Sequence, residues 1–179
     1  MVGPDFKVLD RYRQNPSLYK MMRYEKAAIY SCKVGAIMAD APAEDIENMY
    51  KFGEKLGLAF QLQDDLLDVY GDPAVFGKNI GGDITSNKKT YMLINAVNRA
   101  NPAQREQLMK WIDAKEFDRN EKVKAVTELY NEIGIRELCE QKIEEYYQES
   151  QVYLANICIP EERKAELKAY AAEMMKRQS

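Results

Sequence analysis

Asp64, Asp65 and Asp68 lie on one short, otherwise mostly apolar segment, residues 60–70, which reads FQLQDDLLDVY. An α-helix turns by about 100° per residue, so Asp64 and Asp68 fall about 40° apart, and Gln61 and Asp65 complete a polar sector about 100° wide. Leucines occupy the other sectors, which predicts a buried helix. Carboxylates packed this closely in a poorly solvated place repel one another unless a cation neutralises them. The three aspartates are therefore candidate ligands of a hard cation such as Mg²⁺.

The DDxxD spacing also has a simpler explanation, because it occurs by chance on solvated helices and at helix N-termini, where acidic residues are favourable. The sequence that follows, GDPAVFGKNIGGDITSNKKT, favours the metal hypothesis. It is rich in turn-forming residues and includes Gly77, Lys78, Gly81, Gly82, Lys88 and Lys89. Glycines let a backbone approach a phosphate closely, and lysines bind diphosphate oxygens as point charges. Together the two segments predict a site for a metal ion and a diphosphate.

The two segments resemble the second aspartate-rich motif of the trans-isoprenyl diphosphate synthases, the polyprenyl synthase family. That motif contains a Phe-Gln pair, DDxxD, a Gly-Lys and an Asn-Lys in this order. The matching residues here are Phe60, Gln61, Asp64, Asp65, Asp68, Gly77, Lys78, Asn87 and Lys88. An upstream Lys-Thr element of the family corresponds to Lys26 followed by Ala27, so the lysine is present and the threonine is replaced.

The resemblance implies a prenyltransferase of the farnesyl, geranylgeranyl or polyprenyl diphosphate synthase type. Such an enzyme condenses isopentenyl diphosphate with an allylic diphosphate by Mg²⁺-assisted ionisation, condensation and elimination. The implied metal ligands are Asp64, Asp65 and Asp68, and the implied catalytic residues are Lys26, Gln61 and Lys78. The implied substrate-binding residues are Lys26, Tyr30, Phe60, Gln61, Lys78 and Lys88. Tyr30 and Phe60 are expected beside the prenyl chain, where an aromatic face stabilises a developing carbocation.

The sequence departs from the family pattern upstream, where members carry a first DDxxD motif. The aspartates before Asp64 stand singly, at Asp5, Asp10, Asp40 and Asp45. We therefore expect the resemblance to cover the C-terminal half of a synthase, and we expect the chain to be a fragment that is inactive alone. A homo-oligomer, or packing against the other half, is expected to cover its apolar faces. The alternatives are a non-catalytic helical partner of a complete synthase and a helical scaffold whose motif is coincidental.

Composition favours a single all-helical unit over residues 1–179. The resemblance implies that this unit is an all-α helical bundle corresponding to the C-terminal half of the isoprenoid synthase fold. The chain is 46% apolar, with few glycines and prolines. These values are typical of a helical domain with a real core. The net charge is only −3 and the charged residues of both signs are interspersed, so we expect no nucleic-acid partner. Histidine is absent, which argues against triad hydrolases and zinc enzymes.

The sequence contains neither a secretory signal nor an apolar run long enough to cross a bilayer, so we expect a cytoplasmic protein without a membrane span. Its three cysteines, Cys32, Cys139 and Cys158, are widely spaced and are expected to be free thiols. Periodicity, prolines and glycines predict helices over Ser17–Ala39, Ala43–Tyr70, Lys88–Arg99, a short one from Pro102, Arg119–Glu132, Ile135–Ile157 and Pro160–Lys176.

Overall fold

The structure is a computed structural model that describes residues 31–72 and 80–176. Within these two ranges the chain is helical and contains no strand, which confirms the predicted all-α class. Residues 31–38 are helical and belong to the first predicted helix, most of which falls outside the described residues. Three predicted site residues also lie outside the described residues, namely Lys26, Tyr30 and Lys78.

The helices that follow have well-defined bounds. They are α1 (Ala43–Tyr70), α2 (Gly82–Thr85), α3 (Tyr91–Arg99), α4 (Pro102–Asp113), α5 (Arg119–Ile133), α6 (Ile135–Ala155) and α7 (Glu161–Met175). The predicted bounds of α1 are confirmed, as is the start of α4 at Pro102, where Asn101 and Gln104 form a capping box. None of these helices is long and apolar enough to cross a membrane.

Two features of the segment 80–90 differ from the sequence prediction. The helix expected from Lys88 begins only at Tyr91, because the side chain of Thr90 accepts a hydrogen bond from the backbone N–H of Leu93 at 3.1 Å and caps the helix there. The short helix α2 was not predicted, since four residues are too few to show a helical period.

Helices α1 and α6 form the central pair, and they run antiparallel. Contacts join them in reverse order along the chain: Asp45 accepts from the backbone N–H of Cys158, which follows α6, at 3.0 Å, Lys55 pairs with Glu149 at 2.5 Å, and the thiol of Cys139 donates to the carbonyl of Leu62 at 3.8 Å. The other helices pack around this pair. Helix α7 contacts the beginning of α1, whereas helices α3 and α5 surround the end of α1.

The apolar core consists of two clusters, one toward each end of the α1–α6 pair. The smaller cluster joins the beginning of α1 to the end of α6 and to α7, through Phe52, Leu56, Leu154, Ile157 and Ala171. The larger cluster surrounds the end of α1 and includes Leu62, Val69, Ile84, Met92, Ala96, Leu108, Val126, Leu129, Tyr130, Ile135 and Cys139. The half of α1 that carries the aspartates is therefore held by the larger cluster.

Gly81 allows the chain to pass closely between α1 and α5. Its φ is 79°, in the left-handed region, and its N–H donates to the carbonyl oxygen of Asp68 at 2.5 Å. A Cβ on residue 81 would lie 2.5 Å from Cγ2 of Val123. Both the backbone angle and the space therefore require glycine at this position.

Replacing Gly81 with alanine is expected to lower the free energy of unfolding by about 2–6 kcal/mol, because the left-handed backbone and the overlap with Val123 each cost about 1–3 kcal/mol. Urea unfolding followed by circular dichroism measures this loss. Gly35→Ala is the matched control, since a Cβ there meets no atom within 4 Å and the residue is helical. Equal unfolding midpoints for the two variants would contradict the assignment.

The three cysteines differ in exposure, which predicts different reactivity. Burial, with smaller contributions from Asp65 and Glu140, raises the pKa of the Cys139 thiol to about 12. Cys139 therefore stays protonated and inert at pH 8, whereas the exposed Cys158 reacts. We expect a disulfide exchange reagent to label Cys158 rapidly in the native protein and Cys139 only in denaturant, as read by peptide mass spectrometry. Native labelling of Cys139 at the rate of Cys158 would refute its burial.

Candidate functional site

The site forms where the second half of α1 faces the segment 80–90. The ammonium of Lys88 lies 2.7 Å from Oδ1 of Asp65 and 2.6 Å from Oδ2 of Asp83. The side-chain amide of Gln61 donates to the same Oδ1 of Asp65 at 3.1 Å. These four residues form a continuous polar network that joins α1 to the chain around α2.

Asp65 is the buried member of the aspartate motif, with only 2% of its surface exposed. A carboxylate removed from water requires a compensating charge or several hydrogen bonds. Lys88 supplies the charge and Gln61 supplies a hydrogen bond. The predicted metal ligand Asp65 is thus also the anchor of a lysine that lies 23 residues further along the chain.

Lys88 keeps its positive charge in this setting. Burial by itself lowers the pKa of its ammonium, but the hydrogen bonds and charges of Asp65 and Asp83 act in the opposite direction and raise the pKa above its ordinary value. The two carboxylates therefore hold a permanently protonated lysine at a defined place beside α1.

Asp68 fastens the beginning of α2 to α1. Its Oδ2 accepts a hydrogen bond from the backbone N–H of Asp83 at 2.7 Å. A Cβ on Gly82 would lie 3.3 Å from Oδ1 of Asp68, so the backbone of residue 82 runs close to this carboxylate. Burial raises the pKa of Asp68, and the hydrogen bond from the Asp83 N–H partly opposes that shift.

The aspartates of the motif differ in their surroundings. Asp64 and Asp68 are partly exposed, whereas Asp65 is buried and bonded to Lys88. In the described parts of the chain, no group of three or more acidic, histidine or cysteine side chains is arranged to hold a metal ion. The set of Asp64, Asp65 and Asp68 as magnesium ligands stays a prediction.

The structure brings together three of the predicted site residues, Gln61, Asp65 and Lys88. Phe60 lies next to Gln61 on α1 and is partly buried. The sequence prediction did not include Asp83, the second carboxylate on Lys88. Its signal was present, since Asp83 follows the pair Gly81-Gly82 and precedes Lys88 by five residues.

The sequence of this chain matches a family model and several known proteins. The family model described as polyprenyl synthetase matches residues 6–130. The (2E,6E)-farnesyl diphosphate synthase of Mycobacterium tuberculosis is 32% identical over 165 residues, which make up 89% of this chain and 46% of that protein. The farnesyl pyrophosphate synthase of Gallus gallus is 37% identical over 138 residues, 74% of this chain and 36% of that protein.

Solved structures agree in fold. The geranylgeranyl pyrophosphate synthase of Corynebacterium glutamicum, complexed with isoprenyl diphosphate and magnesium, superimposes with a TM-score of 0.71 at 33% identity, over 80% of this chain and 41% of that chain. This chain spans between about a third and a half of the length of the curated relatives named above. The family model matches well over half of its residues, and the chain belongs to the polyprenyl synthetase family.

Proposed function

We propose that this chain provides the second aspartate-rich part of a prenyltransferase site that binds a diphosphate through Mg²⁺ and lysines. The reaction it would serve is the condensation of isopentenyl diphosphate with an allylic diphosphate. The observation that carries this proposal is the protonated Lys88, held between Asp65 and Asp83 beside the aspartates of α1.

Lys88 is suited to bind a phosphate oxygen. An ammonium has three N–H donors, and two of them are directed at Asp65 and Asp83. The third can donate to an anionic oxygen, and the raised pKa keeps the proton on the nitrogen. Because both carboxylates fix the position of the charge before a ligand arrives, little reorganisation is needed when a diphosphate binds or departs.

The residues present fit a magnesium ion that is shared with a ligand. Mg²⁺ in phosphate-processing sites is held by one or two carboxylates together with phosphate oxygens and water, so a group of three protein ligands is not required. Asp64 and Asp68 are one helical turn apart on α1 and partly exposed, and they would hold the ion. A bound Mg²⁺ would supply positive charge that stabilises a departing diphosphate.

The remaining predicted residues complete the proposal. Gln61, fixed by its hydrogen bond to Asp65, would orient the diphosphate. Phe60 would lie beside the prenyl chain together with Tyr30, and Lys26 and Lys78 would bind diphosphate oxygens. The chain has no histidine, so we assign the loss of the final proton to the released diphosphate acting as base.

Inorganic diphosphate should bind to the 179-residue chain in a Mg²⁺-dependent manner, and Asp64→Ala should weaken that binding at least about tenfold, because it removes a charged metal ligand. Isothermal titration with and without Mg²⁺ measures both effects. Asp113→Ala is the control, since Asp113 is an exposed aspartate at the end of α4. Wild-type binding of diphosphate that does not depend on Mg²⁺, or an equal loss of affinity in both variants, would exclude the metal site. No binding of diphosphate to the wild type would favour a non-catalytic partner.

Lys88→Met should abolish diphosphate binding and also lower the free energy of unfolding by about 3 kcal/mol, because it leaves the buried carboxylate of Asp65 without its charged partner. Lys89→Met is the matched control, since the neighbouring lysine is exposed. Urea unfolding and the same titration give the two readouts. If the two variants were equally stable, the ion pair seen at Asp65 would not be an anchor.

A further inference from the structure

Residue 87, directly before Lys88, has an unusual backbone. Asn87 has a φ of 48°, in the left-handed region, and asparagine is one of the few side chains that adopt it readily. Its N–H donates to the carbonyl of Ile84 at 3.2 Å, and the N–H of Lys88 donates to the carbonyl of Asp83 at 2.9 Å. This turn therefore sets the direction in which the side chain of Lys88 projects from the backbone.

The side chain of Asn87 is held at both of its polar atoms. Its Nδ2 donates to the carbonyl of Ile112 at 2.9 Å, in the last turn of α4, where helical carbonyls lack partners within the helix. Its Oδ1 accepts from the ammonium of Lys122 at 2.7 Å, on the first turns of α5. Two helices that carry no predicted site residue thus clamp the residue next to Lys88.

Lys122 is in a place that disfavours its charge. Only 1% of its surface is exposed. Burial lowers the pKa of this ammonium. The positive end of the α5 dipole lies at the same end of the helix and also opposes a cation. The hydrogen bond to the amide oxygen of Asn87 and the face of the Phe117 ring, 4.1 Å from the ammonium, partly offset this penalty.

We propose that Lys122 is a positioning residue that, through Asn87, fixes the left-handed turn directing the Lys88 ammonium to Asp65 and Asp83. This role rests on the proposed diphosphate site, because it is there that the place of Lys88 matters. The chain of contacts runs from Lys122 to Asn87 by a hydrogen bond, from Asn87 to Lys88 along the backbone, and from Lys88 to α1 by two ion pairs.

The test uses the full chain with Lys122→Met, which keeps a long apolar side chain but removes the donor. Hydrogen exchange by NMR should show the amides of Asn87 and Lys88 opening about tenfold faster, since the freed amide oxygen no longer holds the turn. The amide of Leu138 in α6 should keep its rate. Titration with inorganic diphosphate and Mg²⁺ should show binding about tenfold weaker. Lys124→Met, an exposed lysine on the same helix, is the control and should change neither.

A double variant separates action through Asn87 from general packing. Asn87→Gly keeps the left-handed backbone accessible but removes the side chain. If Lys122 acts through Asn87, the double variant of Lys122→Met and Asn87→Gly exchanges at residue 88 no faster than Asn87→Gly alone. Additive effects, or a Lys122→Met variant that behaves like Lys124→Met, would overturn the proposal. Should Lys122→Met not fold, Asn87→Gly alone decides, because unchanged exchange at Lys88 refutes the clamp.

The two proposals fail in different ways. Absence of Mg²⁺-dependent diphosphate binding in the wild type would refute the proposed function. The exchange rates at Asn87 and Lys88 need no ligand, so they decide the positioning role of Lys122 independently.

Discussion

The ion pairs of Lys88 connect the parts of the chain on which the site depends. Asp65 is buried in α1, and a buried carboxylate without a partner is costly enough to disturb a domain of this size. Lys88, which lies outside the helix, pairs with this carboxylate and also with Asp83. Asp68 then receives the N–H of Asp83, so that α2 is fastened to α1 at two points. The same contacts satisfy buried polar groups and hold a cation at the edge of the core.

Helix α1 serves both the core and the site. Its apolar side packs against α6 through residues such as Leu62, whose carbonyl also accepts from Cys139. Two aspartates of its polar sector, Asp65 and Asp68, contact the segment 80–90. Because the proposed ligand-binding groups project from a long helix packed along its length, their spacing does not depend on a loop. The more irregular segment around α2 adapts to this helix through hydrogen bonds to its carboxylates.

A further set of polar contacts, centred on Asn87, lies behind the ion pairs of Lys88. Asn87 stands between Lys88 and the helices α4 and α5, and it is tied to Ile112 and Lys122. A small cavity lined by Asn87, Trp111, Lys122 and apolar neighbours adjoins these bonds. The two polar side chains Asn87 and Lys122 are hydrogen-bonded to each other at this cavity, and Asn87 precedes Lys88 in the chain. Such an arrangement makes the position of one ammonium depend on helices distant in sequence.

The sequence by itself determined the helical class and the bounds of α1, because these depend on helical period and on Pro42 and Gly71 at the helix ends. Motif spacing also selected Gln61, Asp65 and Lys88, and the structure brings these three side chains into contact. The sequence did not reveal Asp83, the late start of α3 at Tyr91, or the bond between Lys122 and Asn87. Each of these depends on a side chain meeting a partner: Thr90 capping a turn, Asp83 sharing a lysine with Asp65, and Lys122 reaching a residue 35 positions earlier. The Thr90 cap is a local contact that the sequence analysis missed. The contacts of Lys88 with Asp65 and of Lys122 with Asn87 span 23 and 35 residues, and local pattern carries no information across such separations. Only the packing of the helices decided which carboxylate would face the lysine and which would stay partly exposed.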